Sequence, residues 1–271
     1  MDAPLHAEPL DVPAELALVA IDMEKYSQIP EAKMAAARCD VDDIVATVLA
    51  DCQLPDPQEL PGGYKDSGDG AILLFPPSVL ARLVDPVLGR LNAALVRYER
   101  QRLASSPVLR LRASVHIGPL SMPDHRGNAI NDTTRLLDSQ ANREALSAAK
   151  DNGGFLAAAL SEIVYQRTVH SGRTQDLGSH HFLEAVARVS DKPGFEQPCR
   201  IHVPGLTGPA VHPYVTDAAS SASAPSPPAQ QTAASAAPAA SSGGTFQFHA
   251  QVSDATIANS IETVRIDRRQ R

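Results

Sequence analysis

The sequence predicts an α+β fold, a mixed sheet with helices packed against it, and three observations carry that prediction. A continuous apolar run, ELALVAID at 15–22, is followed by helical spacing. GYKDSGDGAILLF at 63–75 puts turn residues between two strand-forming stretches. LRLRASVHIG at 109–118 alternates apolar and polar residues with period two, the mark of a strand with one wet face. Strands and helices alternating along one chain bury their apolar faces by stacking helices on a sheet.

In order, residues 15–22 read as a buried strand ending on an acid. Met34, Ala37, Val41, Ile44 and Val48 recur at helical spacing, so a helix is expected over 31–50. The hairpin follows at 64–75 and is closed by Pro76 and Pro77. Leu80, Leu83, Val84, Val87, Leu88, Leu91, Leu95 and Tyr98 predict a helix over 78–103, with Arg97, Arg100 and Arg102 at its C-terminal end. After the 109–118 strand come helices at 131–137 and 143–149, a strand at 155–160, and a helix capped by Ser161 and running to about 169.

Composition narrows the function. With 43% hydrophobic and 20% charged residues the chain reads as soluble and globular. A formal net charge of -7 argues against a general nucleic-acid grip, which needs a basic surface. Cys39, Cys52 and Cys199 are odd in number and lack metal-ligand spacing, which suggests a reducing, cytoplasmic setting. No run reaches the roughly 18–20 apolar residues of a membrane span.

Chemistry concentrates in three stretches: IDMEKYS at 21–27, KDSGDG at 65–70 and DHRGNAINDTTR at 124–135. If the first strand neighbours the hairpin, Asp22 and Asp69 meet at one end of the sheet. Two close carboxylates must share a proton or bind cations, and hard divalent ions suit them. Asn131 and Arg135 are four apart and share a helix face. An amide beside a guanidinium suits a sugar oxygen and a phosphate that gains charge. Simpler roles exist for each: strand-end turn former for Asp22, helix cap for Asn131, surface ion pair for Arg135, solvated strand lysine for Lys65. His116, His180 and His181 have no acid or cysteine at useful spacing and are read as structural.

Taken together, these stretches resemble the class III nucleotidyl (adenylyl/guanylyl) cyclase catalytic domain. That family's first strand ends in Asp, its hairpin reads Lys-x-x-Gly-Asp, and its later loop and helix read Asp-x-x-Gly-x-x-(Val/Ile)-Asn-x-x-x-Arg. The resemblance covers roughly 15–203 and implies a ferredoxin-like α+β domain that turns a nucleoside triphosphate into a 3′,5′-cyclic nucleotide and pyrophosphate. It implies that Asp22, Asp69 and the backbone carbonyl of Met23 hold two Mn²⁺ or Mg²⁺ ions. Asn131 would then hold the ribose, Arg135 the α-phosphate, and Lys65 and Asp124 the base. A homodimer with its sites at the interface is implied as well. Arg126 departs from the aromatic residue that many adenylyl cyclases carry there.

The chain is also similar to the small stand-alone Pycsar cyclases, which make cyclic CMP or cyclic UMP against phage. The Lys65 and Asp124 pair is of the adenine type, so an adenylate cyclase making cyclic AMP is the alternative. A further alternative is an inactive cyclase-shaped nucleotide sensor that signals through its C-terminus. Outside the expected domain stand a tail at 1–14, an Ala/Ser/Pro-rich linker at 204–244 and a β-rich motif at 245–271. The alternating strands within 245–267 suggest self-assembly or pairing with an effector protein.

Overall fold

The computed structural model describes residues 11–216 and Ala218. The expected β motif at 245–271, most of the expected linker and most of the N-terminal tail lie outside the described residues. Among the described residues seven strands form one sheet: β1 (Glu15–Met23), β2 (Tyr64–Asp66), β3 (Gly70–Phe75), β4 (Leu111–Pro119), β5 (Leu156–Ser161), β6 (Phe182–Arg188) and β7 (Glu196–His202). Their order is β2-β3-β1-β4-β5-β7-β6. β4 and β5 are parallel and every other neighbouring pair is antiparallel.

The first half gives the sheet its character. α1 (Glu31–Asp51) connects β1 to the hairpin β2–β3, and α2 (Leu80–Val84) with α3 (Val87–Gln101) connects β3 to β4. That element order with strand order β2-β3-β1-β4 is the ferredoxin-like split βαβ arrangement. β1 is paired along both edges, by β3 and β4, and helices cover both of its faces, so it needs an unbroken apolar sequence. Ala17, Val19, Ile21 and Met23 enter the large core with Val41 and Val48 of α1 and Leu88, Leu91 and Leu95 of α3. Leu18 and Ala20 point the other way, against Ile130 and Leu137 of α4 (Asn128–Asp138). Each fully buried Val, Leu, Ile or Met side chain among them contributes about 1.5–3 kcal/mol.

Several elements differ from expectation. The helix over 78–103 is two helices, because Asp85, preceding Pro86, is extended (φ -137, ψ 111), as a residue before proline tends to be. Its aliphatic positions are nevertheless buried as the spacing requires, and Tyr98 is half-buried. Ser161 makes no capping hydrogen bond, and the helix after it is a short α6 (Glu162–Tyr165) continued by a π-helical turn at Gln166–His170. α4 begins at Asn128 rather than Asn131, and α5 spans Gln140–Asp151, capped by Ser139 accepting from the Asn142 N–H at 3.3 Å.

β6 and β7 have no counterpart in the sequence reading. Pro198 within β7 counts against a strand, but residues 196–198 extend past β5 and pair only with β6. The missing proline N–H therefore breaks no hydrogen-bond ladder on the β5 side. Packing continues beyond Val203: α7 (Gly208–Val211) and Val215 bury against β6, β7 and α5. Among the described residues no helix is long and apolar enough to cross a membrane.

Candidate active site

The acidic end of the site is built by backbone. Asp22 stands opposite Gly70 on β3 and opposite Arg112 on β4. A Cβ on residue 70 would collide with the Ile21 carbonyl and lie 2.7 Å from the Asp22 Cα, so only glycine lets the hairpin approach this closely. The turn before it is fixed by Gly68 at φ +90, by the Gly68 N–H donating to Asp66 Oδ1 at 2.8 Å, and by the Ser67 N–H donating to the Gly70 carbonyl at 3.1 Å. The Met23 N–H then donates to the Asp69 carbonyl at 3.0 Å. One hydrogen bond thus ties the end of β1 to the residue the sequence singles out, and Asp69 lies near enough for its charge to act on Asp22.

Asp22 is 5% exposed, and its carboxylate accepts two hydrogen bonds from Arg112, Nε to Oδ1 at 3.1 Å and Nη2 to Oδ2. Burial pushes its pKa up to about 6, against the pull of Arg112 and with the negative charges of Asp69 and Asp138 adding to the rise. Arg112 is a residue that sequence reasoning missed. Its alternating strand reads as wet-faced, whereas Arg112 is buried, and only the strand register reveals its partner.

The donor chemistry suits Mg²⁺ or Mn²⁺. Mg²⁺ keeps several waters and is commonly held by one or two carboxylates plus substrate phosphates, so Asp22 and Asp69 suffice in kind. A closed protein cage is not the arrangement: among the described residues no group of three or more His, Cys, Asp or Glu is set to hold a metal ion. Any ion at Asp22 shares that carboxylate with Arg112.

Behind the hairpin, Arg38 of α1 donates from Nη2 to the Tyr64 hydroxyl at 2.9 Å and to the Gly70 carbonyl at 3.0 Å, and pairs with Asp42. Tyr64 and Asp66 therefore face α1, and Lys65 faces the other way. Its register partner Ile72 stands opposite Ala20, on the same sheet face as Asp22. Lys65 is exposed and makes no ion pair among the described residues. Asp124 is exposed too and pairs with Arg126 at 3.4 Å. Its loop is held against the start of the hairpin by His125 Nε2, 2.7 Å from the Gly62 carbonyl, so the segments carrying Lys65 and Asp124 adjoin.

α4 lies antiparallel across β4. Ala129 sits beside Gly118, the Ser114 hydroxyl donates to the Thr133 carbonyl at 2.7 Å, and Asp138 is near enough for its charge to act on Asp22. Asn131 falls after the first helical residues and is exposed, so it does not cap the helix; Gly127 occupies that place. Arg135 is half-buried, with Nη1 3.5 Å from Asp132 and its guanidinium 5.0 Å above the Phe195 ring. Among the described residues no hydrogen bond or ion pair joins Arg135 or Asn131 to Asp22 or Asp69 within the chain: Asp22 pairs with Arg112, and Arg135 pairs with Asp132. His181 Nδ1 accepts a hydrogen bond from the Gly178 N–H at 3.1 Å. His202 is buried, stacked on Phe182, and its Nδ1 lies 3.1 Å from the His181 carbonyl.

No protein-family model and no curated protein matches the chain. Among solved structures it is similar to the guanylyl cyclase Cya2, at 12% identity over 70% of this chain and 91% of that one, with a TM-score of 0.46. It is similar to an adenylate/guanylate cyclase/hydrolase from Silicibacter pomeroyi, at 20% identity over 71% of this chain and 98% of that one, with a TM-score of 0.46. A bacterial light-regulated adenylyl cyclase matches at 15% identity over 73% of this chain and 54% of that one, with a TM-score of 0.47. All three are named as adenylyl or guanylyl cyclases.

Proposed function

We propose that this chain is a nucleotidyl cyclase of the class III type, converting a nucleoside triphosphate to a 3′,5′-cyclic nucleotide and pyrophosphate. The observation that carries the reading is the junction at Gly70. Three separate features, a left-handed Gly68, a glycine where no Cβ fits and the Met23 to Asp69 hydrogen bond, all serve to place Asp69 beside Asp22. A turn needed only to join two strands requires no such approach.

In this reading the ribose 3′-oxygen attacks the α-phosphorus, the bond to the pyrophosphate oxygen breaks, and the 3′ proton is released. Asp22, Asp69 and the Met23 carbonyl would hold two Mg²⁺ or Mn²⁺ ions, which would supply a lowered 3′-hydroxyl pKa and neutralisation of triphosphate charge. Arg135 offers its guanidinium to charge growing on the α-phosphate oxygens, and Asn131 offers an amide to the ribose. Lys65 donates to the base and Asp124 accepts from it. Those two types serve adenine and pyrimidine edges alike. Cyclic AMP and the cyclic UMP or cyclic CMP of an anti-phage signal are therefore separate products for experiment to choose between. The carboxylates on strand ends and the Asn131–Arg135 pair on α4 would meet across a homodimer.

One observation favours a second reading, a nucleotide-binding module without turnover: both Asp22 oxygens are already engaged by Arg112. Purified protein with Mn²⁺, given ATP, GTP, CTP and UTP in turn with products separated by chromatography, decides. One dominant cyclic product supports the enzyme and names its base. Nucleotide binding with no cyclic product from any of the four leaves the binding module.

A further inference from the structure

We propose that Phe195, on the turn joining β6 to β7, is a positioning residue that holds the Arg135 guanidinium ready for a phosphate. The proposal rests on the cyclase reading above. The guanidinium carbon lies 5.0 Å from the ring centroid, inside the roughly 6 Å over which a cation is drawn to an aromatic face. Little else restrains it. Among the described residues Arg135 Nε is buried with no hydrogen-bond partner, and the one ion pair of Arg135, to Asp132 on the same helix, is long at 3.5 Å.

The ring itself is fixed. Phe195 packs against the core formed by α5, β6 and β7, and its N–H donates to the Lys192 carbonyl at 3.2 Å, closing the turn. An aromatic face also does what a second acid could not. A carboxylate would orient the guanidinium by taking up its N–H donors and neutralising its charge, both of which a phosphate needs. The ring orients through the quadrupole and leaves the N–H edge available. Arg135 Nη2 makes no hydrogen bond among the described residues and so keeps that edge.

The test compares wild type with Phe195→Leu, Phe195→Tyr and Arg135→Ala by steady-state cyclase kinetics with Mn²⁺. It also follows the Arg135 Nε–H resonance by NMR, identified by its loss in Arg135→Lys. Phe195→Leu should lower kcat roughly fivefold with KM held within about twofold, and Phe195→Tyr should restore it. The Nε–H resonance should be displaced by the ring in wild type and in Phe195→Tyr, and should lose that displacement in Phe195→Leu. If Phe195→Leu does not fold, an undisplaced resonance in wild type overturns the proposal by itself. Activity lost in Arg135→Ala but kept at wild-type kcat in Phe195→Leu overturns the positioning role and leaves the cyclase reading standing. Wild-type protein that makes no cyclic nucleotide overturns that reading and the positioning role with it.

Discussion

The two halves of the candidate site are held in different ways. At the acidic end, position is set by backbone: strand register, a glycine under close approach, and a main-chain hydrogen bond from Met23 to Asp69. At the Arg135 end, position is set by side chains, an aromatic ring from a distant hairpin and a long ion pair within α4. Backbone placement is rigid and intolerant, whereas side-chain placement is adjustable. Substitutions should therefore act on stability at the first end and on turnover at the second, except where a carboxylate itself is removed.

The largest effect is expected at the closest approach. Gly70→Ala should cost about 4 kcal/mol or more, or prevent folding, because the collision is with main chain that cannot move aside. Denaturant unfolding measures it; a cost under about 1 kcal/mol would show that the hairpin can stand off and that Gly70 does not set the site. Asp69→Ala keeps the backbone bond and removes only the carboxylate. Turnover should fall on the order of a hundredfold to a thousandfold while stability moves by less than about 0.5 kcal/mol. Full turnover in that variant removes Asp69 from the chemistry.

Next comes pH, where two buried groups, Asp22 at the acidic end and His202 outside both halves of the site, carry opposite signs. Burial pushes the His202 imidazole down to about 4, so between pH 6.5 and 4 the folded state binds fewer protons than the unfolded one and loses stability as pH falls. Burial pushes Asp22 up to about 6, so between pH 6 and about 4 the folded state binds more protons and gains stability as pH falls. Each corresponds to about 3 kcal/mol, and in wild type the two oppose each other. Asp22→Asn should therefore steepen the acid loss of stability between pH 6 and 4, read as the unfolding midpoint against pH. An unchanged slope would mean that Asp22 does not titrate there. The smallest effect is expected at Gly68→Ala, about 1 kcal/mol, since φ is +90 but nothing lies within 4 Å of an added Cβ. A cost as large as that of Gly70→Ala would place the constraint in the turn rather than in the approach to β1.

The same contrast explains what the sequence makes legible. β1, the hairpin and β4 carry their patterns locally, so their order along the chain follows from short stretches of residues, whereas the meeting of Asp22 with Asp69 depends on β1 pairing with β3. The Ala17, Val19, Ile21 and Leu18, Ala20 faces follow from period two alone. Arg112 stays hidden because its role depends on lying opposite Asp22, ninety positions away in the chain. Phe195 stays hidden because β7 carries Pro198, and its tolerance depends on how far β5 extends beside it. Arg38 lies on the polar side of a helix and gains its meaning only once the Gly70 carbonyl is beside it. The break at Asp85 was signalled by Pro86, and strong apolar spacing on both sides masked it.

The central claim is that the two halves form one catalytic site completed between two copies of the chain. The most direct test mixes Asp69→Ala and Arg135→Ala subunits after co-refolding and assays cyclic nucleotide production against each variant alone and against wild type. Each variant alone should be nearly inactive. The mixture should recover about a quarter of wild-type activity, since random pairing makes half the dimers hybrid and each hybrid carries one intact site of two. A mixture as inactive as its parts, from subunits that do exchange, would contradict the claim.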